Sequence, residues 1–190
     1  MKLSAGGNFP QLSVTTSAGR DLHLPVPGAR YTHVQFRRFS GCPICNVHIA
    51  ELRRAKNRLD AAGIHEVLFF HSTQNEVAAY HGDLPFDAVG DAAKRYYRLF
   101  AVESSLSFFS LPALGAVIKS IIRRDVGFKA TGGPLGLPAE FLILPDGTIT
   151  AAHYGNHAYD QWSIEELLQL AAETGTHAGH QPSSRSWGRP

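Results

Sequence analysis

The chain is poor in sulfur and in excess charge. Two cysteines and one methionine among 190 residues cannot build a disulfide framework or a four-thiolate metal centre. The formal net charge of +2 falls in the last stretch, where Arg185 and Arg189 stand without an acid between His177 and Pro190; the remainder matches its 16 acidic side chains with as many bases. A neutral body gives no electrostatic footprint for nucleic acid or an anionic membrane surface, so neither is expected as a partner. No run approaches the roughly 20 apolar residues of a membrane span. The start, Met1-Lys2-Leu3-Ser4-Ala5-Gly6-Gly7, lacks the apolar core of a secretory leader. A cytoplasmic protein is the expectation.

What is present is a composition of ordinary globular kind, 44% hydrophobic and 18% charged, in a chain long enough to bury its own core. Gln11–Thr15 and Asp21–Leu24 alternate polar and apolar residues around Ser17-Ala18-Gly19, which predicts a hairpin. Tyr31–Phe39 reads as a central strand. A helix follows from Pro43 to about Ala62, with an inward stripe of Cys45, Ile49, Leu52, Ala55 or Lys56, and Leu59, and Gly63 as its stop. Glu66–His71 is a second apolar strand, Gln74–His81 a helix capped near Ser72 or Thr73, Phe86–Val89 a short strand, and Ala92–Phe100 a further helix. Strands alternating with helices predict a largely parallel α/β sheet.

Residues 103–136 break that rhythm with an apolar, partly helical insert ending in a Gly-rich stretch. The pattern resumes at Leu137–Leu144, turns through Pro145-Asp146-Gly147, and returns along Thr148–Tyr154 as an antiparallel hairpin. Ser163 caps a closing helix, Ile164–Ala172, with Glu165 and Glu166 in its first turn. One domain over residues 1–175 is expected, followed by a small, polar, disordered tail at 176–190.

Both cysteines lie in Cys42-Pro43-Ile44-Cys45, where the central strand gives way to a helix. Three readings are open. His48 extends the spacing to C-x-x-C-x-x-H, but a helical continuation turns His48 away from Cys42, and a zinc site needs about four ligands. Two unreactive structural thiols are the second. A redox dithiol is the reading that the strand-to-helix position favours. Cys42 then sits at the helix N-terminus as the attacking thiol, with backbone amides and the dipole favouring its anion, and Cys45 one turn later is the resolving thiol. On a strand Arg37 and Arg38 point to opposite faces, so only one of them reaches the sulfur. Pro138, at the head of an apolar strand, marks either a strand start in trans or a cis turn. The histidines in or near strands (His23, His33, His71, His153, His157) read as hydrogen-bonded structural residues.

Phe36-Arg37-Arg38-Phe39-Ser40-Gly41-Cys42-Pro43-Ile44-Cys45, together with Gly136-Leu137-Pro138-Ala139 before Phe141-Leu142-Ile143 and Pro145-Asp146-Gly147, resembles the active-site and cis-proline segments of the thioredoxin-fold superfamily. Within it the chain is similar to the peroxiredoxin-like proteins of the alkyl hydroperoxide reductase and thiol-specific antioxidant group, by the N-terminal hairpin, the Arg-Arg before Gly-Cys-x-x-Cys, the segment Asp91–Phe100 and the long insert. The resemblance implies a thioredoxin-like three-layer α/β fold with a helical insert before a cis-Pro138 strand. It implies a thiol oxidoreductase without a cofactor or metal, which reduces peroxides or disulfides through Cys42 and Cys45. Leu137, Pro138, Arg37, Arg38 and Ser40 would shape the substrate groove. An external thiol, thioredoxin- or glutathione-like, would reduce the disulfide, and the apolar insert would serve as core or homodimer surface. Alternatives are a disulfide reductase without peroxidase activity and a non-catalytic redox-sensing protein. The chain departs from the family pattern at Gln35 and Phe39, where peroxiredoxins carry proline and a peroxide-orienting threonine. It departs from thioredoxins at Gly41, which replaces a tryptophan, and at Phe36, which replaces a buried acid whose task passes to Glu140 or a water.

Overall fold

The computed structural model describes residues 2–102, 131 and 136–178. All of the apolar insert except Thr131 and Gly136, and with it the expected homodimer surface, lies outside the described residues, as does the tail from 179. The element order is β1 (Leu12–Thr15), β2 (Asp21–Leu24), β3 (Tyr31–Arg37), α1 (Pro43–Ala61), β4 (Ile64–Phe70), α2 (Gln74–His81), β5 (Asp87–Gly90), α3 (Arg95–Leu99), β6 (Ala139–Ile143), β7 (Ile149–Tyr154) and α4 (Ile164–Ala178).

Strands β5-β4-β3-β6-β7 form one sheet; β3, β4 and β5 run parallel, and β6 and β7 return antiparallel beside β3. The β1–β2 hairpin stands apart from it. One sheet face, carrying Val34, Phe36, Val67, Phe69 and Phe141, packs against Phe9, the hairpin, Tyr97 and Phe100. The opposite face, carrying Tyr31, Leu68, Phe70 and Leu142, packs against Ile49, Leu52 and Leu59 of α1, Val77 of α2, and Ile164, Leu167 and Ala171 of α4. Two covered faces give the three layers. They also explain why every residue of β3 is buried although it alternates polar and apolar side chains: Val34 and Phe36 meet the aromatic core, while His33, Gln35 and Arg37 lie under the helices.

Local chemistry sets the element ends. Thr73 caps α2 by accepting from the Glu76 backbone N–H at 3.2 Å, while the Glu76 carboxylate accepts from the Thr73 N–H at 2.8 Å. Ser163 and Glu166 repeat this box at α4. The β6–β7 turn needs a left-handed residue, and Gly147 takes it with φ 92°. The α1 stripe is Cys45, Ile49, Leu52, Ala55 and Leu59, with Ala55 rather than Lys56 inward.

Several boundaries differ from expectation. β3 ends at Arg37, because Phe39 to Cys42 form a turn closed by the Cys42 N–H on Phe39 O at 3.0 Å. α3 begins at Arg95 rather than Ala92: the Asp91 carboxylate accepts from the Arg95 and Tyr96 amides at 2.8 and 2.7 Å, and Lys94 turns left-handed ahead of it. α4 continues to Ala178, past the expected start of the tail. The expected cis bond before Pro138 is absent; the cis bond among the described residues is Leu24–Pro25. Pro138 instead begins the β6 ladder in trans, its carbonyl accepting from the Gly155 N–H at 2.9 Å, as a proline at a strand start can.

Candidate functional site

The ends of β3 and β4 where the chain leaves the sheet toward α1 and α2 carry the dithiol. Cys42 is the N-cap of α1 with extended backbone (φ −68°, ψ 116°), Pro43 is in the first turn, and the Asn46 N–H bonds Cys42 O at 3.0 Å. Proline suits that position because its missing N–H would have had no helical partner. The helix N-terminus therefore opens directly at the Cys42 sulfur, adding partial positive charge. Arg38 Nη1 lies 3.7 Å from Cys42 Sγ, and the guanidinium rests over the Phe39 ring at 5.7 Å. Of the two arginines, Arg38 is the one that reaches the Cys42 sulfur.

Cys45, one turn on, faces Cys42, and no disulfide joins the two. The hydrogen bond to the Cys42 sulfur, then burial, then the Cys42 charge push the Cys45 thiol well above the ordinary range, while Arg37 and the Arg38 backbone N–H act in the opposite sense. Cys45 thus keeps its proton while Cys42 is reduced. Cys42 is 1% and Cys45 2% exposed.

Arg37 points the other way, into the layer under α1. Its Nη2 donates to His48 Nδ1 at 2.7 Å, to Glu140 Oε1 at 3.4 Å and to Gln35 Oε1. Arginine can only donate and the Trp162 carbonyl can only accept, so His48 is the neutral tautomer with the proton on Nε2, donated to Trp162 O at 3.0 Å. Burial and the Arg37 charge hold its pKa at about 2. Both ring nitrogens are thereby engaged, leaving none for a metal beside the cysteines. Glu140, fully buried, accepts from the Trp162 N–H at 2.6 Å. His33 and Gln35 complete the tier on Glu66, His33 Nδ1 lying 2.9 Å from Oε2.

Ser40, expected at the groove, ties two loops together. It is fully buried, its N–H and hydroxyl meet Ser72 Oγ at 3.0 and 3.2 Å, and its carbonyl accepts from His81 Nε2 at 2.9 Å. Tyr97 makes a second tie: its hydroxyl reaches Phe69 O at 2.9 Å and Arg37 O. Gly136 is the part of the 136–138 segment that meets the site, since a Cβ there would stand 3.0 Å from His71 Nε2 and 3.7 Å from Arg38 Cγ. Leu137 and Pro138 line a cavity of about 60 Å³ with Lys2, Tyr154, Gly155 and Asn156.

Ser72, His81 and Tyr97 were not singled out in the sequence. Ser72 had a readable signal: with Thr73 the better cap of the α2 box, the neighbouring serine is released for another partner. Tyr97 had none, because its role depends on where α3 crosses the sheet.

No family model matches the chain, and no curated protein matches it in sequence. Solved structures do. A peroxidoxin of Mycobacterium tuberculosis superposes with TM-score 0.65 at 12% identity, over 90% of this chain and 97% of the other. A reduced 2-Cys peroxiredoxin of Plasmodium vivax gives 0.68 at 13%, over 99% and 92%. The fold is that of the peroxiredoxins. A putative thiol:disulfide interchange protein of Chlorobium tepidum matches as well, with TM-score 0.59 at 16% identity over 90% of this chain and 99% of that one. Identities this low carry the architecture alone.

Proposed function

We propose that the chain is a peroxiredoxin-like thiol oxidoreductase in which Cys42 attacks and Cys45 resolves. The observation that carries this is the placement of Cys42 Sγ at the N-cap of α1, 3.7 Å from the Arg38 guanidinium, with the second thiol of the chain facing it one turn later. Positive potential from the helix end and from Arg38 favours the Cys42 thiolate. The thiolate attacks one oxygen of a hydroperoxide, the O–O bond breaks, and the alkoxide or hydroxide leaves; sulfur is oxidised by two electrons to the sulfenic acid. Cys45 then attacks that sulfur, an S–S bond forms, and the departing hydroxide takes the Cys45 proton as water. Two equivalents of an external thiol restore the dithiol, leaving with their own disulfide. Dependence on such thiols suits a reducing compartment such as the cytoplasm.

A protein disulfide is the second substrate class, and the burial of the dithiol separates the two. With Cys42 only 1% exposed, a hydroperoxide little larger than water reaches the sulfur with less rearrangement than a folded protein's disulfide. Small hydroperoxides are therefore the favoured oxidant. One equivalent of hydrogen peroxide should consume both thiols of the unsubstituted protein. Cys45→Ser should stop at a sulfenic acid that dimedone traps, and Cys42→Ser should do neither. Faster oxidation by a protein disulfide than by hydrogen peroxide would move the assignment to a disulfide reductase. Full activity in Cys42→Ser would end it.

A further inference from the structure

The sulfur of Cys42 has its counter-charge in Arg38, but the second arginine of the pair is buried just as deeply with no role in that attack. Arg37 is 1% exposed, and its Nε and Nη1 have no hydrogen-bond partner among the described residues. The nearest carboxylate, Glu140, is a long 3.4 Å away, and its closer partners, Gln35 Oε1 and His48 Nδ1, are neutral. A buried cation so weakly compensated is costly, and an apolar side chain of similar volume would cost the fold less. Its position indicates what the charge does. His48 stands three residues after Cys45, on the same side of α1, and is bonded to Arg37 at 2.7 Å. The guanidinium therefore lies beneath the turn of α1 that carries the resolving thiol.

We propose that Arg37 is a positioning residue whose buried charge stabilises the Cys45 thiolate during disulfide closure, with Glu140 setting how much of that charge Cys45 feels. This rests on the dithiol reading above and adds a timing to it. In the reduced protein the Cys42 sulfur, by its hydrogen bond and its charge, is the main partner that makes Cys45 hold its proton. Oxidation of Cys42 to the neutral sulfenic acid removes that charge and the acceptor that went with it. Arg37 and the Arg38 backbone N–H remain, and both favour the Cys45 anion. The resolving thiol is thus released for ionisation by the oxidation it must resolve. Its proton leaves with the hydroxide displaced from Cys42, so the closing step forms one S–S bond, breaks one S–O bond and yields one water.

The groups that act on Cys45 are Cys42 from α1, Arg37 and Arg38 from β3 and the loop after it, and Tyr97 from α3, while His48 from α1 and Glu140 from β6 bond Arg37. His48 stays neutral throughout the useful pH range. The test titrates Cys45 by the carbon-13 shift of its Cβ in the full chain carrying Cys42→Ser, which removes the partner thiolate. Adding Arg37→Met should raise the Cys45 midpoint by about one pH unit, equivalent to about tenfold less thiolate. Arg37→Lys should restore it, and Glu140→Gln should lower it. Shifts of Arg37→Met and Glu140→Gln in the same direction would show that the cluster only packs the helix, and unmoved midpoints would show that the charge is not felt; either overturns the proposal. If Arg37→Met does not fold, Glu140→Gln and Arg37→Lys decide it, because only a charge effect lowers the midpoint in the first and preserves it in the second. The oxidoreductase reading fails separately, if the unsubstituted protein keeps both thiols after one equivalent of peroxide.

Discussion

Mild acid should weaken this fold, and His48 is the side chain most responsible. It is buried beneath α1 with Nδ1 accepting from Arg37 at 2.7 Å and Nε2 donating to Trp162 O at 3.0 Å. Protonation would remove the acceptor and set a second cation against the guanidinium. Burial first, and the Arg37 charge second, therefore hold its pKa at about 2, against 6.5 for an unperturbed histidine. Between those values the unfolded chain binds a proton that the folded chain refuses. Stability is then fully present above 6.5 and is lost as the pH falls toward the folded value. One refused proton costs about 1.4 kcal/mol per pH unit. At about pH 5 the loss from His48 reaches about 2 kcal/mol, a large part of the 5–15 kcal/mol that a domain typically has.

His48→Gln isolates the contribution. The glutamine amide can offer its oxygen to Arg37 and its N–H₂ to the Trp162 carbonyl, keeping both hydrogen bonds without a titrating group. Urea unfolding of both proteins between about pH 7.5 and about pH 5 should show the native stability falling more steeply, by about one proton's worth of slope. Some slope persists in the variant, because burial also depresses His81 and acts with the same sign. Asp87 and Asp160, whose pKa values lie below normal, act only under about pH 4 and leave this window alone. Equal slopes in the two proteins would refute the assignment of a neutral, buried His48.

Arg38→Met removes the guanidinium 3.7 Å from Cys42 Sγ and should slow oxidation by hydrogen peroxide about tenfold at neutral pH, read by stopped flow; an unchanged rate would leave Arg38 without the role assigned to it. Gly90→Ala would bring a Cβ to 2.6 Å from Gln74 N and 2.8 Å from Ser72 O, so backbone must move and guanidinium unfolding should show a loss of about 2 kcal/mol. A loss under about 0.5 kcal/mol would mean that β5 and the α2 cap separate freely. Thr73→Ala breaks the capping box on Glu76 and should cost about 1 kcal/mol by the same measurement, with no change expected if α2 is held by packing alone.

The strand and helix order was legible because each element carries its own signal: period-two apolar runs, capping boxes at Thr73 and Ser163, a glycine where the β6–β7 turn needs positive φ. The pairing of Cys42 with Cys45 was legible because a spacing of three at a strand-to-helix junction puts the second cysteine one helical turn after the first. Pro138 was misread toward cis because proline at a strand head is compatible with either isomer and the sequence carries nothing local that decides between them. The bond of Ser40 to Ser72 was not legible, because it depends on how the β3 and β4 loops meet.

The buried polar tier lay between these cases. His33, Gln35 and Arg37 alternate on β3 in the manner of a strand with one polar face, although the run as a whole reads as a central strand. The register shows how that face is buried. Glu66 pairs opposite His33 on β4 and Glu140 opposite Gln35 on β6, so polar side chains of three adjacent strands converge on one face. A single polar residue there would mark an exposed strand, whereas hydrogen-bonding partners on neighbouring strands mark a face that can be covered, even with Arg37 Nε and Nη1 left without a partner among the described residues. Covering it is what allows α1 to lie over the sheet with Cys45 and His48 turned inward. The polar tier therefore places a cation within reach of the second thiol, which an all-apolar interface of equal or greater stability could not do.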